Sequence, residues 1–113
     1  MALKKCLLEM GTGVDLHDRD YTKAARRAVE NALWHNSLPF VRSFGGGDWS
    51  RVHVHVLIGS PNPGAVDGGQ VLAMFSVGQK SIQVVRGGLE VPSEDGSDAT
   101  VMSNAAITVS LDV

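Results

Sequence analysis

The stretch GTGVDLHDRDYTKAARRAV (residues 11–29) decides how this chain is read. An apolar run, LKKCLLEM (residues 3–10), precedes it and has the length of a first strand; Gly11 and Gly13 are expected to end that strand. Asp18 or Asp20 then offers a cap for a helix running to about Asn36. Within that helix Ala25, Ala28, Val29, Ala32 and Leu33 recur at helical spacing, so one face is expected to pack on a sheet. Lys23, Arg26, Arg27 and Glu30 fall on the other side, and the small alanines allow close approach.

Downstream, NSLPF (residues 36–40) breaks the helix, because Pro39 disfavours helical geometry in the residue before it. SFGGGDWS (residues 43–50) reads as a flexible connection. The clearest strand follows in RVHVHVLIG (residues 51–59), with Val52, Val54 and Val56 on one face and His53, His55 and Leu57 on the other. A turn region leads to a short second helix within residues 66–75. KSIQVVRGGLEVP (residues 80–92) gives a third strand ending at Gly87 and Gly88. SEDGSDAT (residues 93–100) reads as a solvated loop, and AAITVSLDV (residues 105–113) as the closing strand.

The order β-α-β-α-β-β implies parallel crossovers and an antiparallel last pair. The expected fold is α+β: a two-layer sandwich with helices on one face of a four-stranded mixed sheet, as a single domain over residues 1–113. The uncovered sheet face needs a partner, and in so short a chain another copy is the natural one.

Composition narrows the function classes. The chain has 113 residues, 43% hydrophobic, and a formal net charge of −2, which gives no electrostatic footprint for nucleic acid or an acidic membrane. Trp34 and Trp49 therefore read as core or interface residues, not as a base-stacking platform. The single cysteine, Cys6, excludes an internal disulfide and a Cys-rich zinc site; it reads as a buried thiol in a reducing compartment. The N-terminus lacks signal-peptide character and no run approaches a membrane span, so a cytoplasmic protein is expected.

The candidate site lies in the opening stretch. Gly11, Thr12 and Gly13 offer backbone donors, the helix start favours an anion, and Lys23 adds positive charge, with Thr22 beside it. The pattern is neither a dinucleotide fingerprint, since Leu16 stands where the third glycine would fall, nor a phosphate-binding loop. Asp15 and His17, two apart, suit acid–base catalysis, with the carboxylate orienting the imidazole. The same pair suits a divalent metal, and Asp15, Asp18 and Asp20 equally suit helix capping, with His17 a surface residue. Gly87, Gly88 and Glu90 form a second glycine turn with an acid nearby. His53 and His55 share a strand face and supply two metal ligands at most unless His17 or Asp15 joins them; no cofactor is expected. His35 reads as a favourable charge at the helix end. Lys80 and Ser81 are adjacent, but strand neighbours face opposite ways, so they make no nucleophile pair by themselves.

Together these segments resemble a small family of conserved hypothetical proteins from bacteria and, with an N-terminal extension, plants, named after a Lin-prefixed locus. Its hallmark is Gly-x-Gly-x-Asp-x-His-Gly, and GTGVDLHD matches it at Gly11, Gly13, Asp15 and His17. Asp18 stands where the family has glycine, which argues against a tight turn or a close ligand approach there. DYTKAARRAV, NSLP, VVRGGLEVP and NAAI also resemble the family, so the likeness covers nearly the whole chain. It implies no established activity. At fold level the element order is similar to the trimeric bacterial chorismate mutase type, which implies a trimer or a multiple of it, and to the repeats of ring-opening amidohydrolases; these place small-molecule sites in clefts between sheets or repeats. The sequence thus leads to a small polar or anionic metabolite bound by the loop at residues 11–20 near a subunit interface. Hydrolase- or tautomerase-like chemistry is one form of this reading; a non-catalytic metabolite-binding or metal-binding module is the other.

Overall fold

The computed structural model of the chain describes residues 3–34, 49–76 and 78–112. His35, NSLPF, most of SFGGGDWS, and the side chains of Cys6, Trp34 and Trp49 lie outside the described set. The elements are β1 (Leu3–Asp15), α1 (Tyr21–Trp34), β2 (Val52–Ser60), α2 (Gly68–Leu72), β3 (Gln79–Arg86), β4 (Leu89–Pro92) and β5 (Ala99–Asp112), with single 3-10 turns at Trp49–Arg51 and Pro63–Ala65.

The fold is α+β. β5 is the central strand: it pairs antiparallel with β1 on one side and with β2 on the other, and β3 extends the sheet parallel to β2. The sheet differs from the expected four strands by β4. After β3 the chain leaves β2 and pairs antiparallel with the first residues of β5, Leu89 opposite Met102 and Pro92 opposite Ala99. The crossing needs a backbone without side chains. Gly88 has φ +65°, and a Cβ there would collide with the Met102 carbonyl oxygen. Two polar residues of β5 hold the crossing: Asn104 Oδ1 accepts the Gly88 N–H at 2.9 Å, and Ser103 Oγ donates to the Gly59 carbonyl at 2.7 Å.

β1 is longer than expected. Gly11 and Gly13 do not end it; they continue the ladder opposite Ala105 and Ser103, and the strand runs to Asp15. Their role is packing. A Cβ on Gly11 would lie 2.6 Å from the Ala28 carbonyl oxygen, and one on Gly13 would strike the backbone of Ala28 and Ala24. Glycine on the strand and fully buried Ala24, Ala25, Ala28 and Ala32 on the helix bring α1 down onto β1. Asn31 Oδ1 accepts the Thr12 N–H at 3.0 Å, and Arg27 donates to the Val14 carbonyl at 2.6 Å, so α1 also satisfies part of the free edge of β1.

The core lies between α1 and the sheet, around Val29, Val52, Val56, Ile58, Ile107 and Val109. β2 alternates buried and half-buried residues along its whole length, as its sequence predicts. Among the described residues no element packs on the opposite face of the sheet, which is apolar. Leu8, Met10, Leu89 and Val91 are each 58–63% exposed on it, beside Leu57, Met102 and Ala106.

Candidate functional site

The residues singled out in the opening stretch separate onto two sides of the sheet. Asp15 is buried at the end of β1. Its Oδ2 accepts the Asp20 N–H at 3.0 Å and its Oδ1 stands 3.3 Å from Lys23 Nζ. Asp20 caps α1, its Oδ1 accepting the Lys23 N–H at 3.0 Å. Asp15 therefore ties strand end, turn and helix start together, and Lys23 is engaged on that carboxylate. Thr22 Oγ1 accepts the Asp67 N–H at 2.9 Å, joining α1 to the cap of α2. Beside this cluster a groove of about 440 Å³ runs between the two helices, lined by Asp20, Lys23, Arg26, Arg27, Glu30 and Gln70 among others.

His17 takes a different partner. Its imidazole is 78% exposed, and Nδ1 stands 3.4 Å from Oδ2 of Asp98, a residue of the loop expected only to be solvated. The intervening backbone turns sharply: Asp18 has φ +71° and Arg19 φ +48°, a region that glycine adopts freely and Asp tolerates. The tight turn thus forms with Asp18 in place, contrary to the expectation drawn from its side chain. It is held from outside. The Asp18 N–H donates to Asp98 Oδ1 at 2.8 Å, and Arg19 donates to the Asp98 and Gly96 carbonyls. Arg19 Nε also faces Glu90 Oε2 at 3.5 Å, and the Tyr21 hydroxyl donates to the other Glu90 oxygen. Glu90 therefore anchors this turn, and its hydrogen bond raises the Tyr21 phenol above its ordinary pKa. Gly87 and Gly88 serve the β3–β4 crossing.

The loop opposite is equally ordered by carboxylates. The backbone N–H of Ala99 and that of Asp18 hold the Asp98 carboxyl below its usual range, with His17 adding to the effect. Hydrogen bonds from the N–H and hydroxyl of Ser97 and the hydroxyl of Ser93 bring Asp95 down to about 2. Between the two turns lies a cleft of about 500 Å³, lined by His17, Asp95, Asp98, Leu16, Val91 and Thr100 among others. Val91 and Thr100 belong to the open face by register, so the cleft opens onto that face.

His53 and His55 occupy the other end of the open face. His53 lies opposite Ser110 of β5, whereas Asp15 lies opposite Val101, so the two ends are roughly 30 Å apart along the strand. Neither Asp15 nor His17 reaches the histidine pair, and among the described residues no group of three or more His, Cys, Asp or Glu is placed to hold a metal ion. Lys80 and Ser81 diverge as expected: Lys80 Nζ donates to the Phe75 carbonyl, and Ser81 Oγ bonds His55. No helix among the described residues is long and apolar enough to cross a membrane.

This α+β sandwich, with glycines of its first strand against an alanine-lined helix and a His–Asp pair beside a cleft, has known relatives. A family model described as "Conserved hypothetical protein (Lin0512_fam)" matches residues 5–109, and the chain belongs to this family. The crystal structure of an FtsZ-like protein of unknown function from Nostoc punctiforme PCC 73102 superposes with a TM-score of 0.87 at 35% identity, covering 100% of this chain and 99% of that one. No curated protein matches the chain.

Proposed function

We propose that this protein binds a small polar molecule in the cleft between the turn at residues 16–20 and the loop at residues 93–98, and that the cleft lies beside an interface between copies of the chain. The observation that carries this reading is the His17–Asp98 pair at the cleft wall. A carboxylate on Nδ1 fixes the imidazole and leaves Nε2 to exchange a proton with a ligand. The ionised carboxylates of Asp95 and Asp98 favour a ligand that brings N–H, O–H or positive charge over an anion, while Lys23 is occupied on the other side of the sheet. Hydrolase- or tautomerase-like proton transfer by His17 fits this arrangement, and so does binding alone. Folds of the chorismate mutase type, which the element order resembles, provide an analogy for a site at such a cleft.

Self-association is supported by the open face. Four strands about 4.8 Å apart and about nine residues deep at about 3.3 Å each make a face of roughly 600 Å². Each partner in a standard interface buries about 800 Å², and exposed apolar patches beyond a few hundred Å² mark interaction surfaces. Across the middle of this face the residues are Leu8, Met10, Leu57, Gln83, Met102 and Ala106, with no charge among them. Two copies meeting through this middle oppose no like charges.

The test is chemical-shift mapping with a panel of small amines, polyols and amino acids. The reading expects shifts at Leu16, His17, Ser93 and Asp98 that vanish in Asp98→Ala. Shifts confined to the Lys23–Arg26–Arg27 groove, or none with any compound, overturn it.

A further inference from the structure

The far end of the open face carries a polar cluster that the cleft does not use. His53 lies between Ser110 and Gln79, and His55 between Thr108 and Ser81, so both imidazoles leave the same side of β2. They line a concavity of about 380 Å³ together with Leu3, Gln79, Ser81 and Ser110. His55 Nδ1 is 2.7 Å from Ser81 Oγ. His53 Nε2 is buried and, among the described residues, has no hydrogen-bond partner.

The two histidines complement each other chemically. The 2.7 Å contact accommodates either tautomer of His55; the one that donates Nδ1–H to the Ser81 hydroxyl leaves the lone pair on Nε2, the form in which an outer partner prepares a histidine to ligate. An unpartnered buried nitrogen is costly, and native proteins rarely leave one without a use. On a strand, residues i and i+2 project side by side, which allows two imidazoles to converge on one ion. Imidazole nitrogen suits zinc and copper.

We propose that His53 and His55 bind one divalent zinc or copper ion through their Nε2 atoms, with Ser81 as the positioning residue and water filling the remaining coordination. The site supplies two protein ligands, fewer than a closed structural site, so exchangeable binding is expected, weaker than that of three- or four-ligand centres. It rests on β2 and β3 alone and stands apart from the cleft at His17.

The experiment is calorimetric titration of untagged protein with zinc, and separately copper titration followed by electron paramagnetic resonance. One saturable ion per chain is expected, with two nitrogen ligands in the copper spectrum. His53→Gln and His55→Gln each weaken binding at least tenfold, Ser81→Ala weakens it several-fold, and His17→Ala leaves it unchanged. Circular dichroism confirms that each variant is folded. Absence of saturable binding overturns the proposal, as does binding of equal strength in the folded His53→Gln/His55→Gln double variant.

Discussion

His17 Nδ1 stands 3.4 Å from Asp98 Oδ2, and the same Asp98 carboxylate accepts the backbone N–H of Asp18 at 2.8 Å. One side chain from the loop before β5 therefore closes the turn after β1 and orients its histidine. Asp98→Ala is expected to loosen residues 16–20 while leaving the Val29–Ile107 core intact. Hydrogen exchange checks this: protection is lost at Asp18, whose N–H the Asp98 carboxylate accepts, and kept in β2.

The pH dependence follows from the same loop. Asp95 sits at about 2 and Asp98 below its ordinary value, so both favour the folded chain while ionised. An unfolded aspartate titrates near 3.9. The contribution is therefore complete above about pH 4 and is lost as pH falls through the folded values toward about 2. Denaturant melts across this window show a falling midpoint, and the Asp95→Asn/Asp98→Asn variant shows a flatter fall.

Gly13→Ala tests the packing of α1 on β1. The added methyl meets helix backbone, which cannot rotate away as a side chain would. A loss of about 2 kcal/mol or more is expected, at the upper part of the usual range for overpacking. Gly64→Ala, where the nearest atom is a side-chain oxygen 4.0 Å away, serves as the comparison and changes little. Thermal unfolding of the two variants measures both.

Asp15 behaves as a structural residue in this account. Asp15→Ala removes the acceptor for the Asp20 N–H and the partner of Lys23, and is expected to cost about 1–3 kcal/mol. His17→Ala, at an exposed side chain, leaves the unfolding midpoint nearly unchanged. Chemical denaturation of the two variants separates the roles.

Met10→Glu places a charge in the middle of the open face, at a side chain that is 63% exposed in the single chain. It is expected to abolish self-association without unfolding the protein. Sedimentation velocity reads the first effect and circular dichroism the second.

Much of the fold was legible in the sequence because its signals are local. The alternation in VHVHVLIGS and the alanine spacing in α1 express strand and helix periods directly. Gly11 and Gly13 misled because glycine marks both turns and close approaches, and only the facing alanines distinguish the two. β4 was hidden because VVRGGLEVP reads as one strand, although the chain changes partners at the glycines. The start of β5 was hidden because Ser103 and Asn104 resemble turn residues and in fact hold the crossing. His17 drew attention through the motif it shares with the family. Asp98 was missed because its pairing is long-range and sits in a loop of ordinary turn composition. Asp15 and His17, neighbours in sequence, were expected to act together; the end of β1 and the turn after it send them to separate partners.

Native mass spectrometry of untagged wild-type protein and of His17→Ala, without chelators, tests the central claim most directly. The account predicts an assembly of more than one copy carrying a small organic mass in the wild type, and the same assembly without that mass in the variant. A bare monomer in both contradicts it.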